Sequence, residues 1–304
     1  MMTTKEARKT VMFNRGTGLL VIEVRCSNPN GDPDAENDPR TLDADGRGLI
    51  SAVSFKRKLR DLVAEKEGPV WQEAAKTLSL NGNGRGYDIL ESYDRDIKEI
   101  GKLDRDQFIP KYWDARVFGN TILEAIKAKN NKGKEHFIST GVVQFGVGIS
   151  IAPVEIQRLT TTNPPVEPGK DRGMAPLGWR VVQHGVYTMP FYVNPTFARN
   201  TGCDKTDIEL LKFLIPYAYQ HTASAIRTSV NLLHAWYAEH KSPLGSCPDY
   251  KIIDALTPKK KGNPQEPSKS LDEYEIPTEG KIDTFIKDRV TVTDLCAIWE
   301  RRCL

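Results

Sequence analysis

The sequence predicts an α+β sandwich with insertions. Three observations carry that expectation. A strand-like alternation at Gly18–Cys26 leads into a helix-period stretch from Ser51. Two β-rich runs follow, beginning at Gly141 and Trp179. A helical pattern and a last short strand with a helix then close the chain. The order strand, helix, strands, helix, strand, with two large excursions, differs from the strict alternation of a parallel doubly wound sheet. No internal tandem repeat is visible.

In the first run, GLLVIEVRC, Leu20, Ile22 and Val24 share one face, with Glu23 and Arg25 on the other. The first face is expected against helices and the second open. The acidic loop NPNGDPDAENDPR follows, rich in Asn-Gly, Asn-Pro and Asp-Pro turn pairs. Ser51 is a good N-cap for the helix SAVSFKRKLRDLVAEKE, which Gly68-Pro69 ends. On a wheel of about 100° per residue, Ala52, Phe55, Leu59, Leu62 and Val63 form one apolar arc. Residues of roughly 70 to 140 read as an insertion. GVVQFGVGISIAPVEIQRLTTT reads as one long strand or two with a bend. The Pro/Gly-rich piece NPPVEPGKDRGMAPLG separates it from WRVVQHGVYTMPFYVN, which suggests a projecting hairpin or flap. KTDIELLKFLIPYAYQHTASAIRTSVNLLHAWYAEH reads as a long helix bent near Pro216. TPKKKGNPQEPSKS reads as a mobile loop, and IDTFIKDRVTVTDLCAIWERR as a short strand and a final helix.

The chain has 304 residues, 39% hydrophobic and 27% charged, an ordinary balance for a soluble globular protein. No apolar run approaches the roughly 18 residues that span a bilayer. The N-terminus lacks the apolar core of a secretory signal, so a cytoplasmic location is expected. The five cysteines are widely spaced without C-x-x-C, which argues against a disulfide framework or a structural zinc. Net charge is +3, so placement of charge matters more than its sum.

On the first long helix, Lys56, Arg57 and Arg60 fall together beside the apolar arc, with Lys58 on the other flank and Asp61 directed elsewhere. Such a patch can meet adjacent phosphates of one strand, with arginine able to bind bidentately. A solvated helix face is the ordinary alternative. Free backbone N–H groups near Ser51 also favour a phosphate.

The acidic loop offers Asp32, Asp34, Asp38, Asp43 and Asp45 as metal ligands. An EF-hand fails, because the closing Glu position falls on Ala52. Tight turns are a sufficient cause for the loop's composition. His184, His221, His234 and His240 are candidates for acid/base work, though His234 and His240 stand six apart, off the spacing of a helical zinc pair. GNGRG and FGVG match neither nucleotide-binding fingerprint. Lys127, Lys129, Lys132 and Lys134 make a basic stretch, either solvated or functional.

Several segments together resemble one family. NPNGDPDAENDPR…DADGRGLISAVSFKRKLRD is similar to the opening of the RNA-binding backbone subunit of type I CRISPR surveillance complexes (Cascade), nearest subtypes I-C and I-B. DARVFG from Asp114, GVVQFGVGISIAPV from Gly141, SAIR from Ser224 and SPLGSCPDYKIIDAL from Ser242 resemble further blocks, in the family's order. Ala52 departs from the acidic residue common there, and the piece from Gly119 to Gly141 is longer and richer in lysine.

The resemblance implies an RRM-like (ferredoxin-like) palm, residues 1–67 and 141–304, with a fingers insertion at 68–140 and a thumb hairpin at 160–179. It also implies a non-catalytic subunit without metal or cofactor. Copies would polymerise along a CRISPR guide RNA beside other Cascade subunits and present the guide to target DNA. By position, Ser51, Lys56, Arg57 and Arg60 match the guide-contacting helix, and Asn28 and Asn30 lie where the family approaches RNA. A holder of arbitrary guides must bind phosphate and ribose and leave sequence to base pairing. A metal-dependent ribonuclease using Asp32 and nearby carboxylates is the alternative. A histidine-assisted processing nuclease finds no His–Lys constellation to support it.

Overall fold

The computed structural model describes residues 13–120, 139–162 and 176–299, together with strand pieces at Ile126–Lys127 and Lys134–Glu135. In chain order the principal elements are β1 (Gly16–Ser27), β2 (Arg47–Ile50), α1 (Ala52–Ala64), α2 (Pro69–Thr77), α3 (Arg105–Lys111), α4 (Trp113–Phe118), β3 (Val143–Phe145), β4 (Gly148–Pro153), β5 (Ile156–Thr162), β6 (Pro176–Val193), α5 (Lys205–Leu214), β7 (Val230–His240), α6 (Asp249–Leu256) and β8 (Val290–Asp294). Eight strands form one sheet along the path β8-β7-β1-β6-β4-β2, with β5 and β3 also paired to β6. All its pairings are antiparallel. This is a mixed helix-and-sheet fold.

β1 lies at the centre. Leu20, Ile22 and Val24 pack with Phe55, Leu59 and Leu62 of α1 and Leu211 and Leu214 of α5 in the main core. The expectation that the opposite face is open does not hold. Leu19 and Val21 join Trp236 of β7, Ile252 and Leu256 of α6, and Tyr274 and Ile286 in a second core. Even Glu23 is only 1% exposed, bonded by Arg25 Nε at 2.7 Å. A sheet covered on both sides accounts for the continuous apolar run GLLVIEV.

α1 begins where expected. Ser51 is extended (φ −70°, ψ 144°), and its Oγ accepts the Ser54 N–H at 3.2 Å, satisfying one orphan donor of the first turn. Replacing Ser51 with Ala is expected to cost about 1 kcal/mol, read from the urea midpoint. α2 starts with Pro69 in its first turn, where a missing N–H costs nothing.

Two expectations are corrected. The helical reading of 205–240 ends at Leu214, and Val230–His240 is a strand. VNLLHAWYAEH has apolar residues at spacings both periods accept, and its Val, Trp and Tyr favour a strand between two cores. The run from Gly141 breaks into three short strands, not one or two. The segment 257–270 is largely exposed and is anchored by buried Pro258 and Ser268. Ser268 is 2% exposed and bonds to both His184 Nδ1 and the Tyr274 hydroxyl at 2.8 Å.

The segment between α2 and β3 has a small apolar cluster of its own, Leu90, Ile100, Phe108, Tyr112 and Ala115. Arg116, fully buried, fastens it to α5. Its Nε and Nη2 donate to the Asp207 carboxylate at 3.0 and 2.9 Å, and the other donations go to the Ile109, Pro110 and Gly86 carbonyls. Arg85 bonds the same carboxylate at 2.8 Å and also Asp204. At the exit of α4, Gly119 has φ +82°, and a Cβ there would lie 2.3 Å from the Ser139 carbonyl oxygen, so only glycine fits this crossing.

Candidate nucleic-acid interface

The end of β1, the start of α1 and the loop before β7 meet at one corner. Asn28 sits there, 2% exposed. Its backbone N–H donates to the Ile226 carbonyl at 2.8 Å, its amide nitrogen to the Asn37 carbonyl at 2.7 Å, and its own carbonyl accepts from Arg227 Nε at 3.2 Å. Its side-chain oxygen is buried without a hydrogen-bond partner among the described residues. The Asn30 side-chain oxygen accepts the Ser51 N–H at 2.7 Å, locking the loop to the helix cap. Asn28, Asn30 and Ser51 are therefore brought together, and the two asparagines act on backbone groups.

The cations of α1 divide. Asp61 does not point away from them: Arg57 Nε donates to it at 2.8 Å, Arg57 Nη1 bonds the Glu91 carbonyl, and the guanidinium lies 4.0 Å from the Tyr93 ring centroid. Arg60 donates to Asp114 at 2.8 Å, and this buried carboxylate also accepts the Leu90 and Glu91 N–H groups. Both arginines thus tie the inserted segment to α1. Lys56 has no carboxylate among the described residues. It lies 5.2 Å from the Phe118 ring centroid, and burial, then Arg60, lowers its pKa.

Sequence reasoning missed two cations at this corner. Lys58 is 5% exposed, donates to Thr222 Oγ1 at 3.0 Å, and stands over the Tyr219 ring at 5.1 Å. Burial first, then Arg227, brings its pKa down to about 8. Neither Lys58 nor Arg227 has an ion-pair partner among the described residues. The signal for Arg227 lay in the SAIR block, and Lys58 was set aside because it falls off the arc of the other three. Lys56 and Lys58, on the two flanks of α1, and Arg227 from the loop before β7 therefore carry no carboxylate partner among the described residues. Such an arrangement can hold a polyanion by phosphate contact and offers no arrangement for reading base edges.

Three of the five candidate aspartates of the acidic loop, Asp32, Asp38 and Asp45, pair with arginines. Asp32 pairs with Arg40 at 3.3 Å and accepts the Asp34 N–H. Asp38 and Glu36 bind Arg180 of β6 at 2.7 and 2.5 Å. Asp45 binds Arg47 at 2.6 Å, and the Arg47 backbone N–H, then its guanidinium, lower the Asp45 pKa. Among the described residues no group of three or more His, Cys, Asp or Glu is placed to hold a metal ion. The histidines are dispersed: His184 against Ser268, His234 bonded to Asp294 at 2.7 Å, His240 to Thr17 at 3.0 Å, and His221 against the Tyr217 ring. Burial lowers the pKa of His184 and His240. The four described cysteines are free thiols. No helix among the described residues is long and apolar enough to cross a membrane.

Comparison with known proteins follows the same direction. A family model described as CRISPR-associated protein Cas7 matches residues 14–279. A CRISPR-associated protein Cas7 of Haloferax volcanii is 26% identical over 218 residues, covering 66% of this chain and 63% of that protein. The chain therefore spans under two thirds of that relative's length. Among solved structures, a chain of a CRISPR RNA-guided surveillance complex in a pre-nicking state aligns at 16% identity and a TM-score of 0.47, covering 75% of this chain and 78% of the other. A second CRISPR RNA-guided surveillance complex aligns at 15% identity and 0.43, covering 75% and 70%. At those scores the likeness adds nothing to the fold read from the strands themselves.

Proposed function

The chain belongs to the CRISPR-associated Cas7 family, and on that premise we propose that it is a non-catalytic backbone subunit that binds CRISPR guide RNA in a Cascade effector complex. Several copies line one guide, beside other Cascade subunits, and present it for pairing with target DNA. The observation that carries this reading is the corner where unpaired Lys58 and Arg227 flank Asn28, next to the capped start of α1. RNA held there is gripped by its backbone, so any guide sequence fits. Subtype I-C or I-B is the nearest variety, from the segments that carry the resemblance.

The palm, in this reading, is RRM-like and made of 1–67 and 141–304. In its support, β1, α1, β4, β6, α5 and β7 follow one another as βαββαβ, and their spatial order is β7-β1-β6-β4. The fingers are 68–140, supported by the small cluster around Phe108, although Trp71 and Trp113 also enter the main core. The thumb is the hairpin at 160–179. Its backbone pairs through Thr162 and Pro176, and its connection lies outside the described residues.

The test is RNA retention by the purified chain on two unrelated RNA sequences. Lys56→Ala with Arg227→Ala is expected to weaken binding about equally on both and to reduce the salt slope by about 0.7 per lost phosphate contact. The RNA should stay intact with magnesium. Unchanged retention would refute the site, and chelator-sensitive cutting would refute the absence of catalysis.

A further inference from the structure

At the C-terminal end of α1 the inserted segment presents a second surface. Tyr93 is 82% exposed and Ile97 40% exposed. Tyr93 is held against the clamped Arg57 guanidinium, so its ring is presented in one orientation. Next to it runs an open groove of about 420 Å³, walled by Ile89, Leu90 and Tyr112 and edged by Asp88, Asp94, Asp96 and Glu99, with Arg95, paired to Glu91, and Lys111, over the Tyr112 ring, also on its rim. Asp96 caps a helical turn and Glu99 pairs with Lys102. Asp88 and Asp94 have no ion pair among the described residues. Lys66, also in the groove, turns its ammonium to the Tyr87 carbonyl and the Trp71 ring.

Residues 88–106 hold seven acidic and four basic residues. This acidic excess beside an exposed tyrosine, with Asp88 and Asp94 unpaired among the described residues, favours a cationic protein segment over a nucleic acid. The chain contains one of matching chemistry. Residues 127–134 hold four lysines and no carboxylate; Lys127 pairs with Lys134, and 128–133 lie outside the described residues.

We propose that the acidic groove beside Tyr93 docks the lysine-rich segment 127–134 of a second copy of this chain. This rests on the reading that several copies share one RNA. The contact is heterologous: groove on one copy, segment on the next. It therefore leaves a groove and a segment unused at the two ends, and addition can continue. Tyr93 supplies the rigid anchor, and the carboxylates set the direction of addition and suppress like-with-like pairing.

Charge reversal tests it. One variant carries Asp88→Lys and Asp94→Lys, the other Lys129→Glu and Lys132→Glu. Sedimentation velocity is run at low salt, on protein alone and on an RNA long enough for several copies. Each variant alone is expected to lose at least tenfold in self-association, and an equimolar mixture to recover it, because one copy's reversed groove meets the other's reversed segment. Self-association equal to the parent, or no recovery on mixing, overturns the proposal. So does a loss of affinity by the lysine variant for an RNA that fits one copy, which would assign the segment to RNA. If the parent chain binds no RNA, the functional reading fails, and the RNA-free arm still decides this contact.

Discussion

Replacing Asp207 with Ala should cost about 3–5 kcal/mol, because it leaves the fully buried Arg116 guanidinium charged and without its partner. Arg85 loses the same acceptor, and the capping box that Asp207 completes with Asp204 at the start of α5 is lost. The inserted segment hangs on this point. Arg116 also bonds the Ile109, Pro110 and Gly86 carbonyls, so α3, α4 and the strand-like approach to them are held together by one side chain. A midpoint drop of about 5–8 °C in thermal unfolding is expected for a chain of this size. Replacing Arg116 with Met together with Asp207→Leu should recover part of the loss, since no uncompensated charge is then buried in the centre of the network. A drop of under 1 kcal/mol for Asp207→Ala would show that water reaches the guanidinium.

The second large effect has the opposite sign. Lys58→Met should stabilise the protein at pH 7 by about 1–3 kcal/mol, because burial holds the lysine near pKa 8 against about 10.4 in the unfolded chain. Between those values the unfolded state binds more protons, so native stability rises with pH through the window. The penalty is fully present below about 8 and is relieved above about 10.4. The advantage of the variant over the parent should therefore shrink as pH rises from 8 to 10, as measured by urea unfolding. A phosphate beside Lys58 draws its pKa back up, and RNA binding then takes up a proton. Parent affinity should fall roughly tenfold from pH 7 to 9, and that of Lys58→Met should stay nearly flat. Parallel pH profiles would remove Lys58 from the interface.

Much of this was legible in the residues. The apolar arc of α1, its Ser51 cap and the strand at β1 follow from periodicity and turn chemistry, and the segments that carry the resemblance placed the family. Burial on the second side of β1 was not legible, because the elements that cover it lie more than two hundred residues away. The strand Val230–His240 hid inside a helical pattern, since a run apolar on both faces carries no clean period. At the site, a helical wheel ranks cations by angle alone. It could not show that Asp114, a buried carboxylate from another helix, takes Arg60, or that Arg227 comes up beside Asn28 from a loop. Charges on one helix can be counted from sequence, but their neutralisation is a tertiary property.

β6 is 18 residues long and unbroken, so at about 3.3 Å per residue it reaches roughly 60 Å. One end pairs with β5 in the hairpin, and the other is hydrogen-bonded to β1 as far as Val193. The β5–β6 pair consequently joins the sheet through an unbroken β6. Any torque applied near Pro176 is delivered along a single rod to the middle of the sheet, and the molecule must tilt as a whole or resist.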